Sequence, residues 1–224
     1  MDTIYSSAVL SLFIQFITCS LDIYVLFLHS NPVYKIIQYL LIIEIIVQLI
    51  EGSFYLWMIN NFKNIQNITP IRYYDWIITT PTMLFTFSIY LLFIKNKEES
   101  TESSFYDLVI NNLFVFILIF ILNIFMLGFG YLVELGKISK QFGTTLGFIF
   151  FFLVFYLIYM NFAIYTNVGR IMFWIFSGIW FLYGIASLFS YKNKNISYNI
   201  LDLFSKNFFG LFLAWVLYNN QLTE

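Results

Sequence analysis

Charge is scarce in this chain. Only 10% of its 224 residues are Asp, Glu, Lys or Arg, against about 25% in a soluble domain. So few charges cannot cover a water-facing surface, which excludes a disordered chain and a soluble enzyme. The formal net charge of −1 offers no basic face for DNA or RNA. One cysteine, Cys19, stands in an apolar run; an internal disulfide is excluded, and with it a disulfide scaffold. One histidine, His29, rules out the H-E-x-x-H of a membrane metalloprotease and reads as a solvated loop residue rather than a proton relay. The N-terminus lacks a basic stretch and an A-x-A site, and its apolar run is too long for a signal peptide. No repeat and no long soluble segment is found.

What is present is apolar. Hydrophobic residues make up 61% of the chain, aromatic ones 23%, and the mean hydropathy is +0.83. The chain is therefore read as an integral, multi-pass membrane protein in a lipid bilayer. A membrane helix needs about 20 mostly apolar residues. Seven such runs are expected near 4–28, 34–59, 71–94, 106–131, 143–165, 170–190 and 198–219, separated by short polar breaks such as KNKEESTESS, ELGKISKQFG and YKNKNIS. Short breaks predict antiparallel neighbours and a single domain over 1–224. Orientation is not decided by loop charge: Lys35, Lys95, Lys97 and Arg170 fall on one side, and Lys63, Lys137, Lys140, Lys192 and Lys194 on the other. Two sequons, Asn67-Ile-Thr and Asn195-Ile-Ser, share the second side. They either mark it as extracellular or are chance in an Asn-rich chain.

Charges within spans are costly, about 2.5–3.5 kcal/mol each at mid-depth. This chain keeps Glu44, Glu51, Arg72, Asp75, Asp202 and Lys206 there. Lys206 lies too deep to reach the interface easily, and Asp202 is one turn before it on the same face. Arg72, Asp75 and Thr79 form a second stripe on the third span. If the spans converge, two cations face two carboxylates. Such a group is either an ion-pair network that only fixes packing or a functional site.

The neighbouring residues decide between these. The third span reads Arg72-Tyr73-Tyr74-Asp75-Trp76-Ile77-Ile78-Thr79-Thr80-Pro81, and the seventh reads Asp202-Leu203-Phe204-Ser205-Lys206-Asn207. Together they resemble the microbial rhodopsins, in which retinal is carried on a lysine of the last helix. The resemblance implies an all-α, seven-transmembrane-helix bundle with an extracellular N-terminus. It implies all-trans-retinal as a Schiff base on Lys206, with Asp75 and Asp202 as counterions and Asp75 as proton acceptor. Arg72 and Thr79 would support them. Trp76, Thr80, Met83, Asn123, Met126, Gly130, Trp174, Ser177, Phe181 and Ser205 match retinal-pocket positions, with Asn123 expected to bond Thr80 between helices. The M-x-G-x-G of Met126–Gly130 would leave room for the ionone ring, or is ordinary packing. The sixth span departs from the family, with Ser177-Gly178 where relatives have Tyr-Pro, and Trp180 stands one position off. No metal and no nucleic acid is implied, and the family's members are not enzymes. A receptor of the G-protein type is disfavoured by the missing second cysteine.

Pump, channel and sensor all occur on this fold. Thr86 stands where a proton pump of the best-known type has its carboxylic donor, and YKNKNIS lacks paired glutamates. Both absences weigh against an efficient outward pump. Glu44 and Glu51 share one face of the second span, about 10 Å apart in height, as a cation path asks. Channelrhodopsins carry glutamates on this helix and also read D-L-x-S-K-N on the seventh. The resemblance implies a central gate of Ser11, Glu51 and Asn207, although Ser11 reads equally as a hydroxyl bonded to its own helix. Asp22 either lines a cytoplasmic exit or faces headgroups. The short chain and compact loops resemble the channel-forming rhodopsins of giant algal viruses, which would place the protein in a host-cell membrane. The first expectation is a light-gated channel for monovalent cations or protons. The alternatives are a proton pump with Glu44 as donor, and a photosensor with a partner. Homo-oligomers, from dimers to larger rings, are usual in the family.

Overall fold

The computed structural model describes residues 3–28 and 31–220, which leaves His29 outside the described residues. All regular structure among those residues is helical, and seven stretches are long and apolar enough to cross a membrane: Thr3–Leu26, Pro32–Asn64, Thr69–Glu98, Leu113–Glu134, Lys140–Ala163, Asn167–Ser187 and Tyr191–Tyr218. The chain divides into two compact units, Met1–Gln66 with Phe189–Glu224, and Asn67–Leu188.

The first unit holds α1 (Thr3–Leu26), α2 (Lys35–Asn61) and the seventh span. That span runs as α8 (Tyr191–Asp202), a π-turn at Leu203–Asn207, and α9 (Phe208–Tyr218). Asn31 starts the second span, its side chain accepting from the Val33 N–H with Pro32 in the first helical turn. The buried faces carry polar residues among apolar ones: Ser11, Gln15, Thr18 and Asp22 on α1, and Glu44, Gln48, Glu51 and Tyr55 on α2. Their three- and four-residue spacing gives each helix one polar stripe. Valine, isoleucine and phenylalanine occupy much of the remaining circumference, which suits a helix facing lipid.

The second unit holds α3 (Thr69–Glu98), α4 (Phe105–Asn111), α5 (Leu113–Glu134), α6 (Lys140–Ile158, continued by a π-turn to Ala163) and α7 (Asn167–Ser187). Side-chain caps start most of these helices: Ser104 with Asp107 for α4, Ser139 for α6, Thr166 for α7. Pro81 lies inside α3 and cannot donate a backbone hydrogen bond. Around it the hydroxyls of Thr79, Thr80 and Thr82 donate to the carbonyls of Asp75, Trp76 and Ile78 at 2.7–3.0 Å, the kind of substitution that lets a membrane helix continue.

Two boundaries differ most from the sequence expectation. The fourth span does not run unbroken from 106. It breaks at Asn112, whose φ of −115° and ψ of 9° leave the helical region, while its side chain donates to the Leu108 carbonyl at 2.9 Å. The YKNKNIS segment is not a loop but the first two turns of α8. Its polar residues lower the local hydropathy, yet Lys194 and Asn195 are buried. Asn195 is 0% exposed and donates to the Tyr191 carbonyl, so its sequon offers no accessible acceptor. Asn67 is exposed.

Candidate functional site

The first unit gathers ionisable groups where apolar helices should have none. Lys206 lies in the π-turn, 1% exposed. A π-turn widens the helix locally and recurs at functional sites. The Lys206 Nζ is 3.7 Å from Asp202 Oδ1, on its own helix, and 3.8 Å from Glu51 Oε1, on α2. Both distances are ion pairs rather than hydrogen bonds. Asp202 is held from its other oxygen: the Tyr55 hydroxyl donates to Oδ2 at 2.8 Å, with Asn199 Oδ1 as a second acceptor at 3.1 Å. Glu51 is held by Gln15, whose amide donates to Oε1 at 3.1 Å and to the Ser11 hydroxyl at the same distance. Ser11 in turn donates to the Asn199 carbonyl at 3.1 Å. Its own proton therefore goes across to the seventh span rather than back to a carbonyl of its own helix, while it accepts from Gln15 on that helix.

The expected gate of Ser11, Glu51 and Asn207 is rearranged. Ser11 and Glu51 are joined, but through Gln15. Asn207 belongs to a second cluster, where its amide donates to the Thr18 hydroxyl at 3.0 Å and to Gln48 Oε1 at 3.4 Å. Gln48 donates onward to Asp22 Oδ2 at 2.7 Å. Asp22, wholly buried, does not face headgroups. Glu44 is also 0% exposed, on the α2 stripe one turn from Gln48. Gln15, Thr18, Gln48 and Asn199 escape a reading of the sequence by charge, because uncharged residues cost less in hydropathy. Their signal is the periodic recurrence of polar residues on helices otherwise apolar.

In the second unit, Arg72, Asp75, Trp76, Thr79 and Met83 share the buried face of α3. Arg72 is 0% and Asp75 5% exposed. The Asn123 amide donates to the Thr80 hydroxyl at 2.8 Å, the interhelical bond expected from sequence. Trp76 is buried and meets Tyr73 and Tyr183 edge-on, at 5.0 and 5.8 Å between ring centroids. Met126 and Gly130 are half-buried. A Cβ at Gly130 would collide with the Tyr73 ring, so this glycine admits a tyrosine of α3.

Trp174 and Phe181 need correction. Trp174 is 68% and Phe181 37% exposed, on the outward side of α7. The buried face carries Phe173, Phe176, Ser177 and Trp180. One residue turns a helix by about 100°, so an assignment one position late rotates both aromatics off the buried face. Trp180, one position off the family pattern, is the buried indole. It stacks on Phe176 at 5.5 Å and meets Phe155 edge-on at 5.9 Å. Ser177 is buried and bonds the Trp174 carbonyl at 3.4 Å, and Ser205 is buried beside the Asp202 carbonyl at 3.5 Å.

Comparison with known proteins adds the family. A family model described as bacteriorhodopsin-like protein matches residues 7–220. The viral rhodopsin OLPVRII has a similar structure, with a TM-score of 0.82 at 28% identity over 97% of this chain and 99% of its own. A blue light-absorbing proteorhodopsin from Med12 gives 0.74 at 22% identity, covering 96% and 98% of the two chains. Halorhodopsin, a light-driven chloride pump, gives 0.72 at 16% identity, covering 96% and 95%. The last two share the fold alone. A search of curated proteins finds no match. This chain belongs to the bacteriorhodopsin-like family: it is a microbial rhodopsin, similar to viral ones, and an integral membrane protein with seven spans.

Proposed function

We propose that this rhodopsin is a light-gated cation channel whose path follows the polar interior of the first unit. The observation that carries the reading is the set of buried polar stripes on α1, α2 and the seventh span, which meet at Lys206. Members of the family bind retinal through a lysine and serve as photoreceptors, pumps or channels rather than enzymes. Lys206 fits that attachment: its amine is buried, and two carboxylates within 3.8 Å can balance a positive nitrogen. Bound there, retinal supplies light absorption and an isomerisation that re-aims the proton on Nζ. Asp202, fixed by Tyr55, holds the charge on Nζ from its own helix. Glu51 holds it from α2, and Gln15 links that carboxylate to Ser11. A change of charge at Nζ therefore reaches α1 through one amide. Within this unit the Lys206 ammonium faces Asp202 and Glu51, and acidic side chains of this kind can take the place of water around a proton or a passing cation.

Asp75 is the proton acceptor on the strength of its motif, with Arg72 and Thr79 in support. Trp76, Thr80, Met83, Asn123, Met126, Gly130, Ser177 and Ser205 keep their pocket roles on the same basis, and Phe173 and Trp180 replace Trp174 and Phe181. The motif also supports an extracellular N-terminus. Glu44, wholly buried beyond Gln48, favours a second reading, a proton pump with this residue as donor. Voltage clamp under light, in cells supplied with retinal, separates the two. A current that reverses with voltage and follows the cation gradient is expected of the channel. A current that stays outward at every voltage belongs to the pump.

A further inference from the structure

Beyond the Lys206 centre, the first unit contains a second polar layer that light chemistry at the amine does not use. It consists of Asp22 and Thr18 on α1, Gln48 on α2 and Asn207 in the π-turn, each no more than 4% exposed. Its amide donors are used within the layer, Gln48 Nε2 to Asp22 Oδ2 at 2.7 Å and Asn207 Nδ2 to Thr18 Oγ1 at 3.0 Å and to Gln48 Oε1 at 3.4 Å, while the Thr18 hydroxyl donates to the Gln15 carbonyl of its own helix at 3.0 Å. What remains are acceptors. Among the described residues, Asp22 Oδ1 and Asn207 Oδ1 are buried with no hydrogen-bond partner. Buried oxygens without donors are costly, and two of them in one cluster suit a positively charged guest, not an anion. The α9 backbone closes over the layer at Gly210, where any Cβ would run into Gln48 Nε2 and Asp22 Oδ2. Glycine is what allows that approach.

We propose that Asp22, Thr18, Gln48 and Asn207 form a second closure of the cation path, an oxygen-lined constriction that takes a partly dehydrated monovalent cation as it opens. The inference rests on the channel reading and adds the site at which ions are selected. Carboxylate, amide and hydroxyl oxygens replace water around the ion there, as in other selective pores. Coupling to light runs through one peptide step, because Asn207 follows Lys206 in the same π-turn. A rotation of that turn moves the Asn207 amide away from Thr18 and Gln48. The Gln48 amide, no longer fixed at both ends, then releases Asp22 to the path.

The test compares light-evoked currents of the wild type, Asp22→Asn and Gly210→Ala in cells supplied with retinal, as external sodium is replaced by N-methyl-D-glucamine. Absorption spectra confirm that each protein has assembled. Asp22→Asn keeps the shape and removes the charge. It is expected to lower sodium passage about tenfold and shift the reversal potential, the scale of losing one charged hydrogen-bonding partner. Gly210→Ala is expected to reduce current by a similar factor with the absorption band unmoved, because the added methyl wedges the closed layer. If Gly210→Ala does not assemble with retinal, Asp22→Asn decides alone. Wild-type currents and reversal potential in an assembled Asp22→Asn overturn the second closure and leave the channel reading standing. A wild type without any cation-dependent current overturns both.

Discussion

The two units differ in what joins their helices most conspicuously: hydrogen-bonded polar clusters in the first, stacked rings in the second. In the first, the helices meet through amides, hydroxyls and carboxylates: Ser11, Gln15 and Glu51 in one layer, Thr18, Gln48 and Asp22 in the next. In the second, many rings stack between the helices, alongside the Asn123–Thr80 hydrogen bond. Phe87 stacks on Phe176 at 4.1 Å with planes 3° apart, Phe116 on Phe162 at 5.5 Å, and Phe125 and Phe129 both on Phe150 at 5.2 and 5.6 Å. Lipid is as apolar as a phenyl ring, so neither unit is assembled by the ordinary hydrophobic effect. Packing and hydrogen bonds do that work instead. Ring packing holds one arrangement well but offers an ion nothing. A hydrogen-bonded interior can exchange partners, so it can be rearranged by moving one proton. The polar unit is the one that would conduct, and the aromatic unit the one that would stay fixed.

Lys206→Ala removes the cation on which the polar interior converges. The variant is expected to be colourless with retinal present, read by its absorption spectrum; a coloured variant would overturn the retinal assignment. Gln15→Leu breaks the link between Ser11 and Glu51 while keeping the volume. Light-evoked current is expected to fall about tenfold with colour retained, as losing a hydrogen bond to a charged group implies. Phe176→Ala tests the other side of the contrast. It should destabilise the aromatic unit by about 3 kcal/mol, read as a lower bleaching temperature, with the reversal potential unchanged. A shifted reversal potential there would mean that the rings also shape the path.

The smallest effect lies outside the spans. Hydrogen bonds from the Ser104 hydroxyl and backbone N–H hold the Asp107 carboxyl below its ordinary value. Its contribution to the α4 start is therefore present above the ordinary carboxylate pKa and lost as pH falls through the lowered one. Ser104→Ala should move that loss to higher pH, visible as faster amide exchange in the first turn of α4.

Seven spans are legible from hydropathy because a run of about 20 apolar residues is the length a bilayer demands and a water-soluble helix seldom reaches. Lys206 with Asp202 is legible because charge is rare within such runs. The Asn123–Thr80 bond is legible by aligning a motif on each of two helices. What is not legible depends on rotation and on neutral polar residues. Trp174 attracts attention as an indole, but one position along the helix decides which aromatic is buried, and Trp180 is. Gln15 and Gln48 carry no charge to mark them, yet they determine that Glu51 joins Ser11 and that Asn207 joins Asp22. YKNKNIS looks like a loop because hydropathy cannot see that Lys194 and Asn195 are covered by protein.

The current–voltage curve under light, recorded for the wild type and Glu51→Gln as external sodium is replaced, tests the central claim most directly. The account predicts a wild-type current that reverses sign and follows the cation gradient, and a changed reversal potential or amplitude in Glu51→Gln. A wild-type current that stays outward at every voltage and ignores external sodium would contradict it.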